Sequence, residues 1–424
     1  MRAFICGLIA ATVLVAASCT GPAGNTEPTP LPEVKIGVLA PLSGPSRVAG
    51  ADALHGAQLA AALINGDEGS ARLPGVGTAR RFRLGGAQIT IASVDTKSEP
   101  ERGAAQAVTL VNQARVAGLV GAYDTEVTAA ASQRSERLGV PFLNGDTSAG
   151  YLTERGLDWF FRTGPTDRMF GQAFFSVLGQ QEAKGAKTRR VAILFANDTL
   201  GNGIAELTED LARQGGYEVV ARVGFASGRA DPTSAIGKVR AKQPGVVFLV
   251  ASSSTDASKV LKAFGQLGYT PPGLLAFGSG SFEPGLLEAA GLDGQGLFYS
   301  TAWSREVAQR NPVAKPIMDL YQARFDTAMT EVAAGSFTAV LTLAAAIDLA
   351  GSVDPDRVRG ALISLDTPGR DTIMPWNGVR FDATHQNTRA SGVVEQRIQD
   401  AFRVVFPSDL AQADAVWPLA KARL

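Results

Sequence analysis

Histidine and cysteine are nearly missing from this 424-residue sequence, with two of each. His55 and His385 lie far apart, and Cys6 and Cys19 both sit near the start. A His/Cys metal cluster is therefore not available, and no cofactor is expected. A Ser–His–acid arrangement would have to use one of the two histidines. His55 falls inside a helix pattern and reads as a surface or packing residue. His385, in "FDATHQNT", reads as a loop residue. Catalytic signatures are missing as well. "APLSGPSRVAG" does not supply a G-x-G-x-x-G turn, and "GNGIAE" and "GSGSFE" lack the third glycine. There is no P-loop, nucleophile elbow, H-E-x-x-H or S-x-x-K. Nothing points to paired carboxylates as an acid–base set, so the reading is not an enzyme. An excess of charge is missing too. Forty basic residues balance forty acidic ones, which argues against a nucleic-acid partner. Beyond the amino terminus no run is long and apolar enough to span a membrane. "FTAVLTLAAAIDLAG" (337–351) is interrupted by Asp348 and reads as a buried helix.

What is present begins with a leader. Arg2 precedes the apolar run "FICGLIAATVLVAA", which is short for a membrane span. It ends in "VAASC", which resembles a bacterial lipobox with Ala16 in place of the usual leucine. This predicts a signal peptide over 1–18, lipidation of Cys19, and a protein held outside the cytoplasm by its lipid alone. The alternative is a plain signal peptide cut after Ala17. "TGPAGNTEPTPLPE" follows; its prolines and glycines cannot pack a core, so 19–33 reads as a tether.

The remaining chain alternates strand and helix patterns. "VKIGVLA" is a strand and 51–65 a helix. "QITIASVD", "VAGLVGA" and "VPFLNG" are strands, with helices over 100–115 and 125–138 between them. Nearly continuous apolar strands of this kind belong to parallel sheets covered on both faces. The pattern restarts at "RRVAILFAND". Helices over 203–214, 234–241 and 256–267 alternate with "YEVVARVGF", "GVVFLVASS" and "GLLAF". Helices over 312–328, 336–350 and 356–364 follow, and "SGVVEQRIQ" and "FRVVFP" close the chain as paired strands. A chain of this length suits two lobes. The predicted fold is α/β, two doubly wound parallel-sheet lobes.

Several of these segments resemble the type I periplasmic binding proteins, in particular the branched-chain amino-acid binding proteins of ABC importers. The resemblance is carried by "KIGVLAPLSGP…GADALHGAQLAAALIN", "ITIASVDTKSEPERGAAQAVTLVNQ", "GLVGAYDTEVTAAASQRSERLGVPFLN", "YLTERGLDWFFRTGPTD", "VAILFANDTLGNG", "GVRFDATHQN" and "VVEQRIQDAFRVVFP". It covers about residues 34–407 and extends to amide- and urea-binding relatives. It implies lobe one at 34–166 and 302–385, lobe two at 167–301 and 386–424, and a three-stranded hinge. It further implies a monomer that captures a small polar solute, amino acid-like, amide or related, and delivers it to ABC permease and ATPase subunits. A sensor that signals through a membrane partner is the alternative, and an enzyme on the same scaffold is disfavoured by the missing motifs.

The cleft of such a fold is lined by loops at the carboxyl ends of strands. On lobe one these hold Ser43, Tyr123, Asp124, Thr125, Asp146, Thr147 and Ser148. On lobe two they hold Asp198, Leu200, Ser253 and Ser279. By the resemblance, Thr125 takes the place of a hydroxyl that binds the ligand carboxylate, and Ser148 that of a hydroxyl near the amino group. Leu200 and Ser253 stand where the family has tyrosines, and Ser279 or Gly280 where it has an acid. These losses speak against leucine, isoleucine or valine as ligand. Asp124 and Asp146 read either as partners of a cationic or donor ligand, or as a helix cap and a turn residue respectively. Arg47 is either a counter-charge or a solvated residue. Trp303, near the second crossing, reads as a core or hinge residue or as a ligand contact.

Overall fold

The computed structural model describes residues 33–66, 87–228, 231–277, 294–399 and 401–419. The leader, Cys19, nearly all of the tether and Ser279 lie outside the described residues.

Apolar runs make the first sheet. In β1 (Glu33–Ala40) the side chains of Val34, Ile36, Val38 and Leu39 are buried, on both faces of the strand. β2 (Gln88–Asp95), β3 (Gly118–Gly121), β4 (Phe142–Asn144) and β5 (Phe160–Arg162) complete the order β2-β1-β3-β4-β5, and every pairing is parallel. All five carboxyl ends therefore share one edge. Helices α1 (Arg47–Asn65), α2 (Pro100–Thr109), α3 (Thr125–Leu138) and the single turn α4 (Tyr151–Glu154) connect them.

A second sheet follows α5 (Asp167–Ala183). It contains β6 (Arg190–Ala196), β7 (Glu218–Phe225), β8 (Val246–Val250), β9 (Leu274–Phe277) and β10 (Phe298–Thr301), connected in part by α6 (Thr199–Gln214), α7 (Thr233–Ala241) and α8 (Ser254–Gln266). The chain then forms α9 (Arg305–Ala308), α10 (Ala314–Phe325), α11 (Glu331–Ala350), α12 (Pro355–Ser364) and a small ribbon of β11 (Thr367–Pro368) and β12 (Gly378–Val379). It returns to the second sheet as the hairpin β13 (Val393–Ile398) and β14 (Ala401–Phe406), with β13 antiparallel to β10 and β14 antiparallel to β13. The full order is β14-β13-β10-β9-β8-β6-β7. The predicted α/β architecture is what the chain forms, with the first sheet wholly parallel and the second parallel except for the closing hairpin.

Helix α11 is apolar all round, with Ser336, Phe337, Thr338, Val340 and Leu343 buried. It packs on α1, where a Cβ at Gly56 would lie 2.1 Å from the Ala333 carbonyl oxygen. Only glycine lets the two backbones meet this closely.

Several helices begin earlier than their apolar patterns. α6 starts at Thr199, α8 at Ser254 and α11 at Glu331, because Asp198, Ser253 and Thr330 cap them by accepting backbone N–H bonds from Gly201, Asp256 and Ala333. α1 likewise begins at Arg47, which is exposed. The helix expected over 100–115 widens into a π-turn at Leu110–Ala114, and that expected over 312–328 spans only Ala314–Phe325. Neither β5 nor α5 belongs to the alternation read from sequence. His385 sits in a turn as expected, but it is buried and stacks on Phe161 at 4.2 Å between ring centroids. His55 packs on α10, stacked on Phe325 at 4.1 Å.

Candidate functional site

On the first sheet the strand ends present the expected residues, but several are already engaged. The Ser43 hydroxyl donates to Asp95 Oδ2 at 2.6 Å, and the backbone N–H groups of Leu42 and Lys97 donate to Asp95 Oδ1. Burial opposes ionisation of Asp95, yet these hydrogen bonds hold its carboxyl below the usual range. Ser43 thus closes the turn after β1 and ties it to β2. The Thr147 hydroxyl donates to Asn144 Oδ1 at 2.7 Å, while Asn144 Nδ2 donates to the Gly121 carbonyl at 2.7 Å. Asn144, not Asp146, stabilises this turn.

Three lobe-one positions differ. Thr125 is the first residue of α3, half-buried, and its hydroxyl makes no bond among the described residues. Tyr123 precedes it at φ 70°, and Asp124 stands at the N-cap. The capping role expected for Asp124 is not fulfilled. Its side chain accepts no cap bond, and its Oδ2 is buried without a partner. Burial pushes the Asp124 carboxyl up, opposed by the hydroxyls of Ser98 and Ser46. Asp146 is the more extreme case. The residue as a whole keeps some surface, yet both carboxylate oxygens are closed off from solvent and neither accepts a hydrogen bond among the described residues. Burial and the nearby Glu331 carboxylate push Asp146 up to about 7. Ser148 lies beside Asp167, whose carboxyl is pushed up by burial and held back by Ser148 and Arg162.

On the second sheet Asp198 caps α6 through Gly201 N–H at 2.8 Å and accepts the Ser252 hydroxyl at 2.8 Å. Ser253 caps α8 through Asp256 N–H at 3.2 Å. Both are structural in this conformation. Leu200, on the first turn of α6, is 40% exposed, a large apolar side chain left uncovered at a strand end.

The segments between the sheets carry groups the sequence did not single out. Glu331, the first residue of α11, accepts Ala302 N–H at 2.8 Å and the Thr301 hydroxyl at 2.9 Å. It therefore ties the helix under the first sheet to the end of β10 in the second. Glu395 on β13 faces the same region. Burial pushes it up to about 7; Ser304 opposes the shift and the Glu306 and Glu331 carboxylates add to it. Trp303 is 5% exposed and its indole N–H finds no acceptor among the described residues. A Thr-Glu pair ahead of an apolar run is the one sequence signal that could have located Glu331; Glu395 has none.

Two other connections between the sheets are bound together. Arg162, fully buried at the end of β5, donates to Gln386 Oε1 at 2.6 Å, the Ala149 carbonyl at 2.6 Å and the Thr153 hydroxyl at 2.9 Å. Asn387 Nδ2 donates to the Thr163 carbonyl at 2.9 Å. The exits from β5 and towards β13 thus run side by side.

Hydroxyls, backbone N–H groups at helix starts and buried carboxylates converge on these strand ends, an arrangement suited to holding a polar molecule. The profile of the periplasmic binding protein family matches residues 33–401. A Leu/Ile/Val-binding protein homolog of Brucella abortus is 25% identical over 390 residues, covering 90% of this chain and 93% of the relative. Among solved structures, a leucine-binding protein from Thermotoga maritima has a TM-score of 0.70 at 21% identity, covering 88% of this chain and 97% of that one. A solute-binding protein from R. palustris in complex with benzoate has a TM-score of 0.67 at 18% identity, covering 92% and 100%. The shared fold is that of the type I periplasmic binding proteins. With its two mainly parallel sheets and a match that runs almost from end to end, the chain belongs to the periplasmic binding protein family, extracytoplasmic proteins that bind substrates rather than transform them.

Proposed function

We propose that the protein is the substrate-binding lipoprotein of an ABC importer, anchored through Cys19, and that it captures a small polar solute between two lobes. Lobe one comprises 34–166 and 302–385, and lobe two 167–301 and 386–424. It works as a monomer, and the permease and ATPase subunits receive the solute. The observation that carries this reading is the family match over 33–401, together with relatives named for Leu/Ile/Val binding that are covered almost in full. The anchor rests on "VAASC" after an apolar leader. Cys19→Ala should release the protein from membranes or block its processing; unchanged membrane association and mature mass would sink the lipoprotein claim.

Thr125 and Ser148 are the proposed direct contacts, with Tyr123, Asp124 and Asp146 beside them. On the second lobe Leu200 supplies an apolar wall where the resemblance would place a tyrosine. Ser253 spends its hydroxyl on a helix cap. The solute is therefore polar, but not an aliphatic amino acid. Mass spectrometry of small molecules released by denaturing the purified protein identifies it. Calorimetry with that molecule should then show severalfold weaker binding for Thr125→Ala and Ser148→Ala, since a lost neutral hydrogen bond costs about 0.5–1.5 kcal/mol. Tight leucine binding by the wild type would overturn the ligand claim, and wild-type affinity in both variants the site claim.

A further inference from the structure

Away from the strand ends lies a cavity of about 490 Å³, within the size range of small-molecule sites. Its walls come from three separate parts of the chain. One is the stretch after α9 that leads from the second sheet into α10. Another is the loop between β11 and β12. The third follows β14. Met374, Trp376 and Leu410 supply apolar surface. Arg310 and Arg370 also line the cavity, from two of these parts.

Arginines usually satisfy their five donors, and those beside acids usually pair. Elsewhere in this protein several do: Arg403 pairs with Glu306 and Arg389 with Asp366. The guanidinium groups of Arg310 and Arg370 make no hydrogen bond or ion pair with the described residues. The one acid on the wall, Asp409, pairs with neither. Trp376 is 5% exposed and its indole N–H likewise has no acceptor among the described residues. The walls thus combine two unpaired guanidinium groups with apolar side chains, and Asp409 is their one acid.

We infer that this cavity is a second ligand site, distinct from the proposed solute cleft, and that it takes an organic anion, a carboxylate on an aromatic or branched apolar body. The carboxylate sits between Arg310 and Arg370, and the apolar body lies against Met374, Trp376 and Leu410. A neutral molecule of the same shape leaves both guanidinium groups to water, so the site discriminates by charge. Because the walls belong to segments on both sides of the connection between the sheets, an occupant bridges them.

The test uses the full mature chain labelled with 5-fluorotryptophan, whose four resonances include Trp376, assigned by Trp376→Phe. Benzoate is the probe, with benzamide as its neutral counterpart and inorganic phosphate as an anion with no apolar body. Benzoate at millimolar concentration should move the Trp376 resonance, and benzamide and phosphate should move it far less. The double variant Arg310→Ala/Arg370→Ala should weaken the benzoate response about tenfold or more. Arg310→Lys/Arg370→Lys, which keeps the charge, should restore part of it. Both arginines are exposed, so the fold should survive these changes. A resonance that stays still, that moves equally with benzamide, or that responds equally in the alanine variant would overturn the inference. Closure on a cleft ligand would shift Trp376 equally in the alanine variant, so that variant separates this site from the proposed cleft, and the proposed function stands or falls separately.

Discussion

Polar side chains at the strand ends divide by what they already bond. Ser43, Thr147, Asp198 and Ser253 close turns or cap helices, whereas the Thr125 hydroxyl and the carboxylates of Asp124 and Asp146 retain unanswered bonding capacity. A sequence shows that a hydroxyl follows a strand. It does not show whether the backbone has consumed it, because that depends on a partner such as Asp95, 52 residues from Ser43. The positions were therefore legible and their availability was not. Asp146 carries a pH prediction. Its folded pKa of about 7 stands above the ordinary 3.8, and Glu395, at about 7 against 4.5, behaves alike. Between those values the folded protein binds more protons than the unfolded chain. Stability is therefore greatest below about pH 4 for these two groups and is lost as pH rises to about 7. Thermal unfolding of Asp146→Asn should show a shallower fall between pH 5 and about 7.5 than the wild type. Equal slopes would mean that Asp146 ionises freely in the folded state.

At the scale of elements, long apolar runs translated directly into β1, β6 and β8, and period-3.6 patterns into α3. β5 escaped because it is three residues long and ends in arginine. Nothing local announces that Arg162 is buried; its partners Gln386 and Thr153 are supplied by the fold. Helix starts escaped because caps are polar and lie outside the apolar pattern. Close backbone contact was equally hidden. A Cβ at Gly335 on α11 would lie 2.7 Å from the Gly145 carbonyl oxygen and 2.9 Å from Asp146 Oδ1. Gly335→Ala should therefore destabilise the protein by about 1–3 kcal/mol through overpacking. Gly360, in α12, is exposed and has nothing within 4 Å of the equivalent position. Gly360→Ala should stabilise by about 0.5–1 kcal/mol through helix propensity alone. Chemical denaturation of both variants checks the pair, and a neutral Gly335→Ala would show that α11 and the turn after β4 can move apart cheaply.

At the scale of the whole molecule, the connections between the sheets differ in kind. The exits at 162–163 and 386–387 are hydrogen-bonded to one another, while the end of β10 is held to α11 by Glu331. A bonded pair of strands resists shear better than bending, so closure about this pair is the motion the geometry favours. A ligand held from both lobes stabilises only the closed form. Small-angle scattering with the co-purified solute should show a smaller radius of gyration than without it. An unchanged radius would argue for a rigid site.

Helix α11 has one more consequence, for how such a protein comes to stand outside the cytoplasm. Against the expectation that no run beyond the amino terminus is long and apolar enough to span a membrane, α11 is, among the described residues, the one helix that is, because it extends to Glu331. Its mean hydropathy is 1.8 over its most apolar window. Folded, it is sheathed by its neighbours. A secreted chain threads through its translocation channel unfolded, and there the same twenty residues meet lipid as a possible exit. Alanine is the commonest residue of the segment, Gly335, Ser336, Thr338 and Thr342 punctuate it, and Glu331 and Asp348 carry charge near its two ends. Each of these lowers the tendency to slip sideways into the bilayer. The composition that makes α11 a tightly packed core helix is the same one that keeps it weak enough, as a candidate membrane anchor, to pass through.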